Sequence, residues 1–144
     1  MPNKMLLLSV KPEHASKIFA GSKTVELRRT RPKLSEGDLV VVYVSSPVKA
    51  IKGAFEVGQI LSGTPAGLWK KVKDRSGLTW NEFCTYFTDA DIGYALEIKK
   101  TWIYKAPIKL HCIRKLWDDF NPPQSYRYLS DVERDELLLF QCKN

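Results

Sequence analysis

Two short runs of consecutive apolar residues constrain the fold of this chain more than any other feature. Met5–Val10 reads MLLLSV and Leu39–Val44 reads LVVVYV, and neither run alternates regularly between apolar and polar residues. Such short apolar runs are typical of strands that are buried on both faces. We therefore expect both segments to be strands inside a sheet whose two sides are covered.

The other segments alternate between helical and extended patterns. A helix is predicted over Glu13–Phe19, with Pro12 in its first turn and Gly21 at its end. Further strands and helices follow from periodicity and capping residues. The predicted strands are Ala20–Arg29, Ala50–Ser62 and Gly93–Lys99, and the predicted helices are Ala66–Val72, a segment that begins at Thr79, and Val132–Phe140.

Several remaining positions predict irregular structure. Gly53 and Gly58 lie inside a long predicted strand, where glycines favour bulges or the tight curvature of a closing barrel. Ala106-Pro107 is expected to interrupt the extended segment before it. Lys109–Trp117 fits either a strand or a helix, and Asp118–Leu129, with two adjacent prolines, predicts a long loop.

The length and the order of elements predict one α+β domain over residues 1–144, with helices flanking a curled, mixed sheet. No apolar run in the sequence approaches the roughly 20 residues that a membrane span needs. Met5–Val10 is also too short for the core of a signal peptide. We therefore expect a cytoplasmic protein that has no membrane partner.

The three cysteines are spaced too widely for a zinc site or a disulfide framework. They are Cys84, Cys112 and Cys142. We expect reduced thiols that are at least partly buried, no bound metal and no cofactor.

The net charge of +7 favours a polyanionic partner, because lysine and arginine neutralise phosphates. Tryptophans and tyrosines lie among these basic residues, and such rings can stack on exposed bases. Trp69 fits two interpretations: it stacks on a base, or it anchors its helix in the core. Lys70, Lys71 and Lys73 next to it form a basic helix face that either contacts phosphates or is solvated.

The segment Ala20–Arg29, which reads AGSKTVELRR, concentrates charges at the start of a predicted strand. Strict alternation places Thr24, Glu26 and Arg28 on one face, and Lys23 with Val25 on the other, at the mouth where the turn enters the strand. One interpretation is a solvated face with a surface ion pair. The other is an ammonium, a carboxylate and a guanidinium that face a cleft.

Three segments carry a resemblance to a known family. They read LLSVKPEHASKIFAGSKTVELRR, VVVYVSSPVKAIKGAFEVGQI and PPQSYRYL. In this order and spacing they resemble an ASCH domain, a branch of the PUA-like superfamily related to the EVE and YTH domains. Gly21, Lys23 and Glu26 match the G-x-K-x-x-E motif of that family, and the resemblance covers about residues 5–129.

The resemblance implies a PUA-like β-barrel with helices around it, and a cleft lined by the motif strand. It also implies a role with RNA or nucleotides, as a binding module or in transcription or translation control. Some small members of the family deacetylate N4-acetylcytidine, and others act as nucleases. In the deacetylating members, a threonine nucleophile stands where this chain has Glu26, and a loop glutamate stands near Asp74, so that mechanism is not expected here.

The residues expected in the cleft have side chains that suit a base or a phosphate. Lysine and arginine bind phosphate, serine hydroxyls hydrogen-bond base edges, and Glu26 accepts from an exocyclic amino group or holds Lys23. The segment after Pro122-Pro123 is expected to fold over the cleft as a lid, or to clamp the barrel. The expected cleft residues are Lys11, Lys23, Glu26, Arg28, Ser45 and Ser46, and the expected lid residues are Gln124, Ser125, Tyr126 and Arg127.

Two functions follow, and a third remains open. The first is a binding module for RNA or a nucleotide, with a single-stranded or modified base as the ligand. The second is a hydrolase acting on a nucleoside or RNA, with Lys23 as the base or electrostatic element and Glu26 as a general acid or base. The third is a regulatory domain whose cleft holds a small anion.

Overall fold

Within the described part of the chain, six strands form one curled sheet and five helices pack around it. The computed structural model describes residues 4–143, and the side chains of residues 4–140. Over that range the elements are, in order, β1 (Met5–Val10), α1 (Pro12–Ala20), β2 (Val25–Arg28), β3 (Leu39–Val44), β4 (Ala50–Gly63), α2 (Pro65–Val72), α3 (Trp80–Tyr86), β5 (Gly93–Lys109), α4 (Leu110–Leu116), β6 (Tyr126–Leu129) and α5 (Asp131–Lys143).

The strand order in the sheet is β2-β5-β4-β3-β1-β6. β1 pairs with β3 in parallel, and the other neighbours pair in an antiparallel sense. A mixed sheet with flanking helices confirms the predicted α+β class. β2 and β6 are the outermost strands of this order, so they carry the two edges that the curvature of the sheet brings toward each other.

Two of the register shifts between β4 and β5 lie at glycines of β4. The register with β5 shifts between Ile51 and Gly53, and again between Val57 and Ile60, a stretch that includes Gly58. A Cβ atom on Gly53 would lie 2.1 Å from the carbonyl oxygen of Trp102. The backbones of β4 and β5 therefore approach more closely at Gly53 than any side chain permits, and the predicted bulges are confirmed.

Both faces of β1 are buried, as the apolar run predicted. Leu8 packs in the cluster that contains Ile18 of α1, whereas Leu7 packs in the cluster that contains Ile113 of α4 and Leu137 of α5. A third cluster joins α2 and α3 to β2 and β5, with Phe83 at its centre. The helices thus cover both sides of the sheet, and α2 and α3 pack against the strand that carries the motif.

Two segments differ from the prediction, and a third, for which the sequence allowed either a strand or a helix, is now assigned. β5 continues through Pro107, because Ile103 pairs with Gly53 and Ile108 pairs with Ile51, so the residues between them bulge out of the strand. The ambiguous segment 109–117 contains the helix α4. The segment predicted as a long loop ends in β6, which pairs with β1.

Cys84 is less buried than predicted, whereas Cys112 agrees with the prediction of partly buried thiols. Cys84 is exposed and Cys112 is half-buried, while the side chain of Cys142 lies outside the described residues. Among residues 4–140, no group of three or more His, Cys, Asp or Glu side chains is arranged to hold a metal ion. None of the helices within residues 4–143 is long and apolar enough to cross a bilayer.

Candidate functional site

β2 begins later than predicted, and this changes the direction of Lys23. The backbone N–H groups of Ser22 and Lys23 both donate to the carbonyl oxygen of Lys17, at 3.1 Å each. Gly21 ends α1 in the left-handed conformation, with φ of +87°. Lys23 therefore precedes the strand. The alternation of side chains that buries Val25 does not determine the direction of the Lys23 side chain.

A cleft of about 250 Å³ lies between the start of α1, β2 and α3. Its walls combine apolar groups with charged ones of both signs. The side chains and backbone that line it belong to Ser9, Val10, Lys11, His14, Lys23, Glu26, Leu27, Arg28, Leu78 and Tyr86. The structure thus brings together four of the residues that the sequence predicted for the cleft, namely Lys11, Lys23, Glu26 and Arg28.

Lys23 is the most deeply buried charged residue of the cleft, with only 4% of its surface exposed. Its Nζ donates to the carbonyl oxygen of Ser76 at 2.5 Å. Burial lowers the pKa of the Lys23 ammonium from its ordinary value, and the negative charge of Glu26 opposes that change. Lys23 is therefore both a cation of the cleft wall and a group that loses its proton more readily than a surface lysine.

The loop between α2 and α3 holds Lys23 in place. Lys17 donates to the carbonyl oxygen of Gly77 at 2.8 Å, and the N–H of Thr24 donates to that of Arg75 at 2.8 Å. The Arg75 guanidinium donates to Thr24 Oγ1 at 3.0 Å and to Glu97 Oε2 at 2.9 Å. These bonds connect the loop to both sides of Lys23. Sequence reasoning considered only Asp74 in this loop, and that residue is exposed and does not line the cleft.

Glu26 and Arg28 project from β2 into the cleft and form an ion pair at 3.6 Å, with 13% and 17% of their side chains exposed. Arg28 also donates to the hydroxyl of Ser125 and lies over the ring of Tyr126, 5.1 Å from its centroid. The Nε–H of Arg28 is buried and has no hydrogen-bond partner among the described residues. The guanidinium thus keeps one donor uncommitted.

Sequence reasoning left His14 unassigned and missed Leu78 and Tyr86. His14 lines the cleft from α1, one turn after Lys11, and that spacing is the one local signal that places it there. Its Nδ1 is buried without a partner among the described residues. Burial, followed by the nearby Lys23 charge, lowers the pKa of His14 below its ordinary value.

Tyr86 lines the cleft from α3. Its hydroxyl donates to the carbonyl oxygen of Leu27 at 3.0 Å. Burial raises the pKa of Tyr86. No pattern within α3 distinguished this residue from the other aromatic residues of the helix, because its position in the cleft depends on how α3 packs against β2.

The remaining predicted residues fall into two groups. Ser125 and Tyr126 reach the cleft through their contacts with Arg28. Arg127, the next residue, faces the other side of the sheet, where it pairs with Glu133 at 2.8 Å and lies near the ring of Trp117. The structure places the other three outside the residues that line the cleft: Ser45 and Ser46 in the turn after β3, and the exposed Gln124 before β6.

Trp69 does not line the cleft either. Its ring packs 4.9 Å from that of the buried Phe83 and 5.4 Å from that of Trp80. This position supports the interpretation in which Trp69 anchors α2 to the core.

A family model described as the ASCH domain matches residues 8–114. A relative from Zymomonas mobilis subsp. mobilis, named ASCH domain-containing ribonuclease, is 28% identical over 135 residues, which cover 94% of this chain and 90% of the relative. The crystal structure of ASCH from Zymomonas mobilis superposes with a TM-score of 0.89 at 28% identity, covering 94% of each chain.

A more distant likeness concerns the fold alone. The crystal structure of human THYN1 in complex with DNA that contains 5-methylcytosine superposes with a TM-score of 0.61 at 12% identity, and covers 99% of each chain. The curled sheet and its helices are therefore shared well beyond recognisable sequence similarity.

Proposed function

This chain belongs to the ASCH domain family, and we propose that it binds RNA or a nucleotide in the cleft formed by Lys23, Glu26 and Arg28. The ligand is a modified nucleotide, or a nucleotide within single-stranded RNA, whose base or phosphate enters the cleft. Ser125 and Tyr126 contribute to the site by holding Arg28 from the opposite edge of the sheet.

The observation that carries this proposal is the uncommitted donor of Arg28. A guanidinium N–H donates and cannot accept, so the buried Nε–H of Arg28, which lines the cleft and has no partner among the described residues, is available to an acceptor on a ligand. Lys11 and Lys23 line the same cleft and add positive charge. Phosphate and carbonyl oxygens are the acceptors that such a cationic site binds best.

Glu26 makes the cleft suitable for a base as well as for an anion. Its carboxylate lies beside Arg28, so the two side chains present an acceptor and donors next to each other. The edge of a nucleobase presents the complementary pair, an amino group beside a ring nitrogen or a carbonyl. The cleft volume of about 250 Å³ lies just below the range of roughly 300–1,000 Å³ for drug-sized ligands, which favours a single nucleotide.

The comparisons support a nucleic-acid ligand without identifying it. The Zymomonas mobilis relative, which aligns over 94% of this chain, is named a ribonuclease. The net charge of +7 on 144 residues agrees with a polyanionic partner.

A binding screen of nucleosides, nucleotides and short RNAs tests the proposal. The wild type is compared with Arg28→Ala, which removes the uncommitted donor, and with Arg127→Ala, which removes an arginine from the other side of the sheet. Arg28→Ala is expected to weaken binding about 10-fold or more, because a hydrogen bond to a charged group is lost. Equal effects of the two substitutions, or no binding by the wild type, would contradict the proposal.

Hydrolysis of RNA is a second candidate function, and the environment of Lys23 favours it. A buried lysine with a lowered pKa is deprotonated to a larger extent than a surface lysine at the same pH, so it can serve as a general base, and Glu26 lines the same cleft. The relative named a ribonuclease supports RNA as the substrate. Glu26 replaces the threonine nucleophile of the deacetylating members, so N4-acetylcytidine is the less favoured substrate.

Turnover assays separate binding from hydrolysis. Purified wild type and Lys23→Met are incubated with short RNAs and with N4-acetylcytidine, and circular dichroism verifies that the variant folds. Cleavage of RNA by the wild type that is lost in the folded Lys23→Met variant, even at RNA concentrations that saturate the variant, supports hydrolysis. Binding without cleavage by the wild type supports the binding module alone.

A further inference from the structure

Trp80 presents an indole ring to solvent on a rigid aromatic support. The side chain is 48% exposed. Its ring is nearly parallel to that of the fully buried Phe83, with an interplanar angle of 14° and centroids 6.1 Å apart. Its centroid also lies 5.4 Å from that of Trp69. The ring is therefore packed against two other aromatic rings while about half of the residue remains accessible.

Three lysines follow Trp69, whose ring contacts that of Trp80, within four positions of the sequence. Lys70, Lys71 and Lys73 are exposed on and just after α2, and Lys73 lies one helical turn after Trp69. The acidic groups nearby in the sequence are Asp74 and Glu82. The Glu82 carboxylate accepts from the backbone N–H of Thr79 at 2.8 Å, so part of its charge is used within the capping box.

The loop that connects α2 to α3 also connects this ring to the cleft. Ser76 in the loop accepts the hydrogen bond from Lys23, and Leu78 lines the cleft. Trp80 follows Leu78 by two positions, which limits the separation of their Cα atoms to about 7 Å. A ligand that leaves the cleft beside Leu78 therefore passes close to the backbone of Trp80.

We propose that Trp80 is a stacking platform for a base of a single-stranded nucleic acid whose neighbouring nucleotide occupies the cleft, with the phosphates passing Lys70 and Lys73. An exposed aromatic face among lysines binds bases by stacking while the lysines neutralise the backbone. The inference rests on the proposed function, because it extends the same ligand beyond the cleft. It assigns the stacking role to Trp80, with Trp69 as its support.

Trp102 offers a matched control within the same chain. It is exposed to a similar extent, at 43%, and Lys100 lies two positions before it. Its position on β5, opposite Ala54 of β4, lies outside the residues that line the cleft. A general preference of nucleic acid for exposed tryptophan would involve both rings, whereas the proposal requires Trp80 alone.

The test compares nucleoside monophosphates with an eight-nucleotide single-stranded RNA on five proteins: the wild type, Trp80→Ala, Trp80→Phe, Trp102→Ala and Arg28→Ala. Trp80→Ala is expected to weaken binding of the octamer about 10-fold or more and to leave monophosphate binding unchanged. Trp80→Phe retains a ring and is expected to restore most of the affinity. Trp102→Ala is expected to match the wild type with both ligands, and Arg28→Ala to lose affinity for both.

Photocrosslinking tests the contact in the unmodified protein, so the result does not depend on the folding of a variant. An octamer that contains 4-thiouridine is irradiated with the wild type, and the crosslinked peptide is identified by mass spectrometry. A crosslink at Trp80 supports the proposal. Crosslinks confined to other peptides, or equal octamer affinities of Trp80→Ala and wild type, overturn it.

The two proposals fail in different ways. If Trp80→Ala binds the octamer like the wild type while Arg28→Ala binds it more weakly, the stacking role of Trp80 is refuted and nucleotide binding in the cleft is supported. If the wild type binds neither monophosphates nor the octamer, the proposed function itself fails and the platform fails with it.

Discussion

The guanidinium of Arg28 lies over the ring of Tyr126, 5.1 Å from its centroid, although the two residues belong to strands at opposite ends of the sheet order. Arg28 also donates to the hydroxyl of Ser125, just before β6. These contacts connect β2 to β6 without strand pairing. The cleft therefore lies at the seam where the two edges of the curled sheet approach each other, and Arg28, which reaches across the seam, also lines the cleft.

Replacing Tyr126 with leucine is expected to destabilise the protein by about 1 kcal/mol, because the contact between the guanidinium and the ring is lost. The substitution should also weaken nucleotide binding, since Arg28 loses part of its orientation. Urea denaturation measures the first effect and titration calorimetry the second. Tyr126→Phe keeps the ring and should resemble the wild type. Equal behaviour of the leucine and phenylalanine variants would show that the contact contributes nothing.

The pKa of His14 in the folded protein is expected to lie below 6.5, because burial and Lys23 both disfavour the imidazolium. Between the folded and unfolded pKa values the unfolded chain binds more protons, so the wild type loses stability relative to His14→Gln as the pH falls through that range. Urea unfolding at pH 7.5 and pH 5 measures this difference.

A bound phosphate in the cleft should raise the pKa of His14, because a negative charge favours the imidazolium. NMR titration of the imidazole with and without a nucleoside monophosphate tests this. A pKa that does not respond to a ligand known to bind would place the phosphate outside the cleft.

The folded-state pKa of Lys23 lies below its ordinary value of 10.5 because the ammonium is buried. The folded protein therefore releases this proton at lower pH than the unfolded chain does. The stability of the wild type relative to Lys23→Met should accordingly rise as the pH increases toward 10.5, and the cost of burying the charge is fully present below the folded pKa. Urea unfolding at pH 8 and pH 10 measures the difference, and a constant difference would contradict the prediction.

RNA affinity is expected to fall steeply with salt, because lysines and arginines displace counterions from the phosphates. For single strands the slope of log affinity against log salt is about 0.7 for each phosphate that is neutralised. Lys11→Ala and Lys73→Ala should each reduce that slope by about 0.7, whereas Lys100→Ala on the far part of β5 should leave it unchanged. Filter binding over a range of salt concentrations gives the slopes.

Gly53→Ala is expected to destabilise the protein by about 3 kcal/mol or more, because the new methyl group would lie 2.1 Å from the Trp102 carbonyl oxygen and 2.8 Å from the Phe19 ring. Gly63→Ala in the same strand is the matched control. Its methyl group would meet nothing closer than the Leu68 backbone nitrogen at 3.8 Å, so its effect should stay below about 1 kcal/mol. Thermal and urea unfolding of both variants give the comparison.

Local sequence patterns were sufficient for most of the strands and helices. The apolar run of β1, the proline and glycine that bound α1, and the capping box that starts α3 are each readable within a few residues. β6 was missed because its pairing partner is β1, more than a hundred positions earlier in the chain. Strand formation there depends on that pairing rather than on the local residues.

The charged residues of the candidate site were predictable from the sequence, but the residues that surround them were not. Lys23, Glu26 and Arg28 were identified from their spacing, and the structure places all three in one cleft. Arg127 was expected beside Tyr126, but adjacent residues of a strand point to opposite faces. Which of the two faces the cleft was decided by the register of β6 against β1.

The amino-acid sequence by itself determined the class of fold, the excess of positive charge and the charged residues of the motif, because each depends on composition or on spacing within a few residues. The tertiary structure alone decided that Lys23 is buried against Ser76 and that Arg28 meets Ser125, contacts between residues 53 and 97 positions apart. Contacts of that range depend on how the sheet curls and where its edges meet. For that reason the donors, acceptors and rings that surround a ligand become visible only once the chain is folded.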